Sequence, residues 1–367
     1  MADDFRASLL AQLIARIAAL QSTGDQYYPA GLFPSLRWKT ALGYRRPDTN
    51  GFFTSLIVFT LRELRPQLPA ASQAVVDDIA VKALAIYPLY QSKSGQATYN
   101  FYPPRPKQHF SHGYLLHRTR HFAAPDDLDS TSLAYLSYPR SDAENRWLKA
   151  KLQAHANTVK GWAATGPRAF RRKKVYSAWF GERMPIDMDA STLSNGMLWA
   201  VRTGLPLNEF DEDSLAFINW TIASGEYRHR PLDVSAYYAT APLIAYHVGR
   251  LLAEAELPQL AEARATLHRD LPQLLAAAPT FMDKVLLANT LLRLGEQPAP
   301  LLDPAWTLAD LEQQSRGLYF CIAPLLNYYP QTRWLARWRL SQIDWECPAH
   351  SLALLAEYVA LGGGASC

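Results

Sequence analysis

The run Pro125-Asp126-Asp127-Leu128-Asp129-Ser130-Thr131-Ser132-Leu133 places three carboxylates and three hydroxyls directly ahead of an apolar stretch. Sixty residues further on, Pro185-Ile186-Asp187-Met188-Asp189-Ala190-Ser191-Thr192-Leu193 repeats the order of proline, Asp, bulky apolar residue, Asp, hydroxyls and leucine. Pro231-Leu232-Asp233-Val234-Ser235 is a shorter third copy. Acids grouped in apolar surroundings suit proton transfer, because burial and a like-charged neighbour both help a carboxyl keep its proton at neutral pH. Asp and Ser are also favoured at helix starts, where they cap free N–H groups and meet the positive end of the helix dipole. Capping alone takes one side chain, whereas each of the first two copies carries at least two acids and two hydroxyls. Asp127, Asp129 and Asp189 are therefore the catalytic candidates, with Asp187, Thr131, Trp199 and Tyr237 as candidates to bind a substrate.

The elements that must hold these groups are helices. Periodicity near 3.6 predicts helices over 4–21, 52–66, 72–90, 127–138, 141–158, 189–203, 209–224, 233–254, 257–275, 279–295, 306–316 and 349–361, and alternating strand patterns are scarce. Two kinds alternate. Phe52 to Leu64 and Val234 to Leu252 are apolar nearly all round, while Asp142 to Ala156 and Leu257 to Leu275 carry a charged stripe. All-apolar helices belong inside and striped ones outside, so the expected fold is an all-α (α/α)6 toroid with an inner and an outer ring. Pro47, Pro125, Pro185, Pro231 and Pro279 punctuate the inner helix starts, as proline does at the first turn. The motifs would then meet at one acid-lined mouth. No composition shift marks a boundary, so residues 1–361 read as one domain, with 362–367 as a disordered tail.

The chain has 367 residues, 49% of them hydrophobic, and a formal net charge of +4. That is enough for a large core and too little charge for a nucleic-acid partner. The three cysteines, Cys321, Cys347 and Cys367, cannot all pair with one another and suit a reducing, cytoplasmic compartment. No secretory leader or membrane-spanning run is evident. The segment 91–124 is long, aromatic and basic with no helical period, which in a compact fold reads as functional.

Asp127-Leu128-Asp129-Ser130-Thr131 resembles the Asp-x-Asp-Asp-Thr motif of class II terpene cyclases, and more closely the Asp-x-Asp-Thr-Thr variant of bacterial drimenyl-diphosphate-type cyclases. The likeness covers this pentapeptide and the helical architecture. Position 130 is Ser where the family has Asp or Thr, and the Gln-Trp repeats of the larger triterpene cyclases are absent. The resemblance implies that Asp129 is the general acid that protonates a terminal alkene or epoxide, supported by Asp127, and that the substrate is a linear prenyl diphosphate. Peripheral contact with a membrane would follow from so apolar a substrate.

Protonating an alkene makes a carbocation, which an ordinary carboxylic acid is too weak to do unaided. A dry pocket must hold the acid protonated, and aromatic faces must stabilise the cation; the chain has 10 tryptophans, 19 tyrosines and 14 phenylalanines. Arg105, Lys107 and Arg118, with Arg120 and Arg171 to Lys174 behind them, are the candidates to bind a diphosphate. Magnesium would bridge a diphosphate to acids, although the Asp-Asp-x-x-Asp metal motif is missing by one residue. Two alternatives use the same fold. One is an inverting glycoside hydrolase, with Asp129 and Asp189 across a gap of roughly 6.5–9.5 Å; the other is a non-catalytic binding module whose centre is filled by side chains. Asp344, Cys347 and His350 have the residue types of a zinc site without its spacing; His109, His112, His117 and His121 in the aromatic segment have a spacing of three to five that would suit a metal, but the Arg and Lys among them favour a solvated or phosphate-facing loop.

Overall fold

The computed structural model describes residues 2–105, 125–163, 166–180, 184–324, 327 and 331–363. Among them the chain is mostly helical, with one small sheet. The helices are α1 (Ala2–Ala19), α2 (Phe52–Leu64), α3 (Ala70–Leu84), the single turn α4 (Tyr87–Tyr90), α5 (Leu128–Ser137), α6 (Asp142–Ala154), α7 (Ala190–Arg202) and α8 (Glu209–Ala223). Two further single turns, α9 (Glu226–His229) and α10 (Pro231–Val234), precede α11 (Ala241–Glu254), α12 (Ala261–Ala277), α13 (Phe281–Arg293), α14 (Leu308–Gln314) and α15 (Pro348–Ala360).

The helices pack in a circuit: α2 on α5, α5 on α7, α7 on α11, α11 on α13, α13 on α15, and α15 back on α2. A second set lies against the first, with α1 on α15 and α3, α3 on α2, α8 on α7, and α12 on α8 and α13. Burial follows the sequence pattern. Almost every residue of α2, α7 and α15 is buried, polar ones included, because these helices have neighbours on all sides. In α6 only Leu148, Lys149 and Leu152 are buried, which is the single stripe an outer helix offers.

The ranges expected from the sequence match the helices closely, with two exceptions: the helix expected over 72–90 is interrupted by a turn at 85–86 that separates α3 from α4, and a second is interrupted over a longer stretch. The helix expected over 233–254 is broken: α10 ends at Val234, the chain extends, and α11 restarts after Thr240, whose side chain accepts from Leu243 N. Pro242 sits in the first turn of α11. It lacks the N–H that a helix continuing from Val234 would need, whereas in a first turn that N–H has no helical partner to lose.

The sheet is a second departure from an all-helical expectation. Strands β1 (Ser35–Lys39), β2 (Tyr44–Asp48), β3 (Cys321–Pro324) and β4 (Gln342–Glu346) are all antiparallel, in the order β2-β1-β4-β3. Cys321 pairs with Trp345, and Trp38 pairs with Arg45 on one side and Asp344 on the other. Strand β2 leads into α2 and β4 leads into α15, so the sheet sits at the N-terminal ends of two helices of the circuit. A bond from Ile322 N to Tyr237 O, 2.9 Å, ties β3 to the approach of α11. Of the tail expected to be disordered, Gly362 and Gly363 follow α15 as a turn, with Gly363 N bonded to Tyr358 O; residues 364–367 lie outside the described residues.

Candidate active site

The starts of α2, α5 and α7, the segment before α11, and strands β3 and β4 enclose a small chamber. Its aromatic walls are Phe52, Phe101, Trp179, Tyr237, Tyr238 and Trp345, and Asp127, Asp129, Ser130, Ala178, Thr192, Cys321 and Ile322 complete it. The volume is about 60 Å³, room for two or so waters.

Asp127 is the N-cap of α5. Its extended backbone turns the carboxyl back so that Oδ1 accepts from Ser130 N at 2.6 Å. Oδ2 is buried and has no hydrogen-bond partner. Burial, opposed by the Ser130 amide and reinforced by the charge of Asp129, pushes its pKa up to about 8. A carboxyl in this setting is neutral at pH 7 and holds its proton on the free oxygen.

Asp129, two residues on and half-buried against the chamber, is set up differently. Oδ1 accepts from Asn195 Nδ2 at 2.6 Å and Oδ2 accepts from the Tyr238 hydroxyl. Asn195 Oδ1 in turn accepts from Arg250 Nη2 at 2.5 Å and lies 3.2 Å from His247 Nδ1. Burial raises the pKa of Asp129, while Tyr238, Asn195 and the positive charge of Arg250 act against that rise. Arg250 is 2% exposed and forms no ion pair among the described residues; its Nε and Nη1 have no partner. Arg250 is joined to the carboxyl of Asp129 through the one amide of Asn195. His247, buried beside it, is held well below the usual imidazole range by burial and then by Arg250, and is therefore neutral.

The second motif is built alike and used differently. Asp189 caps α7, with Oδ1 accepting from Ser191 N, Thr192 N and Ser235 Oγ, and Oδ2 accepting from Tyr237 N at 3.0 Å. Burial still lifts its pKa to about 7, but both oxygens are engaged and the residue is inaccessible to solvent. Asp187 accepts from the Tyr237 hydroxyl, which also receives Trp179 Nε1 at 2.9 Å, and burial raises its pKa. The two motifs are thus bridged by Tyr237 and Tyr238, adjacent residues bonded to Asp187 and Asp129 respectively. The third copy joins them through its hydroxyl and not its acid: Ser235 Oγ bonds to Asp189 Oδ1 and Ser191 Oγ, whereas Asp233 is paired with Arg333 and Arg337 at 3.2 and 2.9 Å.

Other candidates fall elsewhere. Thr131 accepts from Tyr99 N at 3.0 Å and is fully buried. Trp199 donates to Asn145 Oδ1 at 3.1 Å and packs edge-on against Tyr135, between α5, α6 and α7. Arg105 is exposed and donates to Lys93 O at 3.0 Å. Lys107 and Arg118 lie outside the described residues, as do Arg120 and the four histidines of that segment. Lys173 and Lys174 pair with Asp213 and Glu209 of α8 at 3.1 and 2.6 Å. Asp126, beside Asp127, accepts from Thr98 Oγ1 and from Asn100 Nδ2 at 2.8 Å. Among the described residues no group of three or more His, Cys, Asp or Glu could hold a metal ion.

Asn195, Arg250 and Trp345 were not singled out from sequence. Arg250 and Asn195 did carry a signal, since each is a polar residue inside an otherwise apolar inner helix, where it requires a buried partner. No family model, no curated protein and no solved structure matches this chain.

Proposed function

We propose that the chain is a protonation-initiated terpene cyclase of the class II type, acting on a linear prenyl diphosphate of farnesyl or geranylgeranyl length, and that the helical circuit is an (α/α)6 toroid. The observation that carries this reading is the buried, unpartnered Oδ2 of Asp127, a residue that lines a chamber together with six aromatic side chains. An acid kept neutral by burial can donate, and ring faces favour the cation that results.

The resemblance to class II enzymes implies Asp129 as the donor. The hydrogen bonds favour a division of labour in which Asp127 gives the proton and Asp129 carries the negative charge. Both oxygens of Asp129 already accept bonds and Arg250 stands behind them, which suits a carboxylate; Asp127 has the one oxygen of the pair free to carry hydrogen. In the step itself, the terminal alkene uses its π pair to form a C–H bond with that hydrogen, leaving Asp127 ionised and a tertiary cation on the substrate. Successive alkenes close rings on the cation, and transfer of a proton from carbon to the carboxylate left on Asp127, which restores the acid, ends the sequence with the diphosphate retained.

The chamber is far smaller than the roughly 300 Å³ at which ligand pockets begin, so a prenyl chain requires its walls to move. That volume favours a second reading, a non-catalytic module whose centre is filled by side chains. The glycosidase pairing of Asp129 with Asp189 has no such support, because Asp189 is fully buried and does not line the chamber.

Incubation of the purified chain with geranyl, farnesyl and geranylgeranyl diphosphates separates the two readings. The cyclase reading expects a cyclised diphosphate from at least one of them, abolished by Asp127→Asn. No product and no rise in Tm with any of the three would overturn it in favour of the binding module.

A further inference from the structure

Two stretches of the sequence, 26–47 and 313–343, contain no Asp or Glu. Between them they carry eight cations: Arg37, Lys39, Arg45, Arg46, Arg316, Arg333, Arg337 and Arg339. The chain as a whole has 37 basic and 33 acidic residues, so removing these eight leaves 29 against 33, and the rest of the molecule is net acidic. The fold brings the two stretches together, since the first supplies β1 and β2 and the second supplies β3 and the start of β4.

The same region carries exposed apolar side chains in a cluster. Trp334 and Trp338 are 58% and 53% exposed, and their rings meet edge to face at 5.4 Å. Leu340 is 60% exposed, on a short 3-10 turn that packs against another holding Leu42, 69% exposed. A monomeric protein rarely leaves several large apolar groups side by side in water. Some of the cations are balanced by acids from other elements: Arg333 and Arg337 by Asp233, Arg339 by Asp344, and Arg45 by Glu346 at 3.8 Å. They keep outward reach all the same, with the side chains of Arg337 and Arg339 59% and 51% exposed.

We infer that this face, with Trp334, Trp338, Leu340 and Leu42 at its centre and Arg337, Arg339, Arg45 and Lys39 around it, docks on an anionic lipid surface. Tryptophan has an apolar body and one N–H, and settles at the boundary between headgroups and acyl chains. Arginine and lysine beside it gain from the negative potential of anionic headgroups. A neutral protein partner would satisfy the apolar cluster and leave the local excess of cations unanswered, which is why the lipid surface is the better occupant. Docking here also sets the chamber close to the bilayer, since Gln342 to Glu346 continue from the docking turn and include Trp345 of the chamber wall. The inference does not depend on which reaction the chamber runs.

Co-sedimentation of the full chain with vesicles of phosphatidylcholine alone, and of phosphatidylcholine with phosphatidylglycerol, tests it. The expected result is binding to the anionic vesicles that falls as salt is raised, and that drops by roughly tenfold or more in the triple variant Trp334→Ser, Trp338→Ser, Leu340→Ser, as expected when apolar anchoring is removed. These side chains are exposed, so the variant should keep the wild-type circular dichroism and Tm. Wild-type protein that ignores both vesicles, or a triple variant that binds as well as wild type, would overturn the inference. Analytical ultracentrifugation showing a wild-type dimer that the triple variant abolishes would assign the face to a second copy of this chain instead.

Discussion

Asn195 donates its side-chain N–H to Asp129 Oδ1 at 2.6 Å, and its amide cannot turn round. Its oxygen accepts from Arg250 Nη2 at 2.5 Å, and a guanidinium offers only donors, so a flipped amide would set two donors face to face. One residue of α7 therefore fixes how Asp129, on α5, meets Arg250, on α11.

Removal of that amide should be expensive. Asn195→Ala leaves Arg250, already short of partners at Nε and Nη1, with no side-chain acceptor but His247, and it strips one donor from Asp129. Loss of a buried bond to a charged group costs about 3 kcal/mol. Urea unfolding should show that loss at neutral pH, and a change below about 1 kcal/mol would mean the relay contributes little.

Asp127→Asn should have the opposite effect on stability, and the sign depends on pH. The pKa of Asp127 is raised in the folded protein, from an ordinary value near 4 to about 8. Its contribution is therefore fully present below the unfolded value and is lost as pH rises through the folded one. Wild type should lose stability between about pH 4 and pH 8 at this residue. Asn caps a helix as well as Asp does and does not titrate, so the variant should match wild type near pH 5 and exceed it by about 1 kcal/mol or more near pH 8. Parallel urea curves at the two pH values check this; an equal gap at both would show that the carboxyl is not held neutral.

Asp189→Asn, the same substitution at the matching position of the second motif, should destabilise. Asp189 Oδ2 accepts from Tyr237 N and Oδ1 accepts from three donors. An amide nitrogen in place of Oδ2 would point a donor at the Tyr237 N–H. The expected cost is about 2 kcal/mol, measured as a lower urea midpoint at neutral pH. A neutral Asp189→Asn would mean the two motifs are not divided into one that stores a proton and one that holds the chain.

That division is the part of the site the sequence could not show. The repeated motif did place Asp127, Asp129, Asp187 and Asp189 at helix starts, because proline, capping side chains and apolar periodicity are all local signals. Which oxygens stay free depends on Tyr237 and Tyr238, and these arrive from a segment that the pattern reads as helix because Ser235 to Ala239 are apolar enough to continue it. The sheet was equally hidden. Its strands are four or five residues long, and β4, Gln342 to Glu346, is buried on consecutive positions rather than alternate ones, so it lacks the period of two that betrays a strand.

Gly249→Ala tests the closure of the helical circuit where α11 meets α13. Judged as a helix residue, alanine is better than glycine by about 1 kcal/mol. A Cβ at this position, however, would lie 2.5 Å from Thr290 Cγ2, and Thr290 is fully buried and donates its hydroxyl to Leu286 O. The two helices must then move apart, and such overpacking costs about 1–3 kcal/mol. Thr290→Ser removes the offending methyl and keeps the hydroxyl, so the double variant should regain most of what Gly249→Ala loses, with a coupling energy of about 1 kcal/mol or more in a double-mutant cycle. Additive effects of the two substitutions in urea unfolding would show that α11 and α13 do not approach as closely as this contact requires.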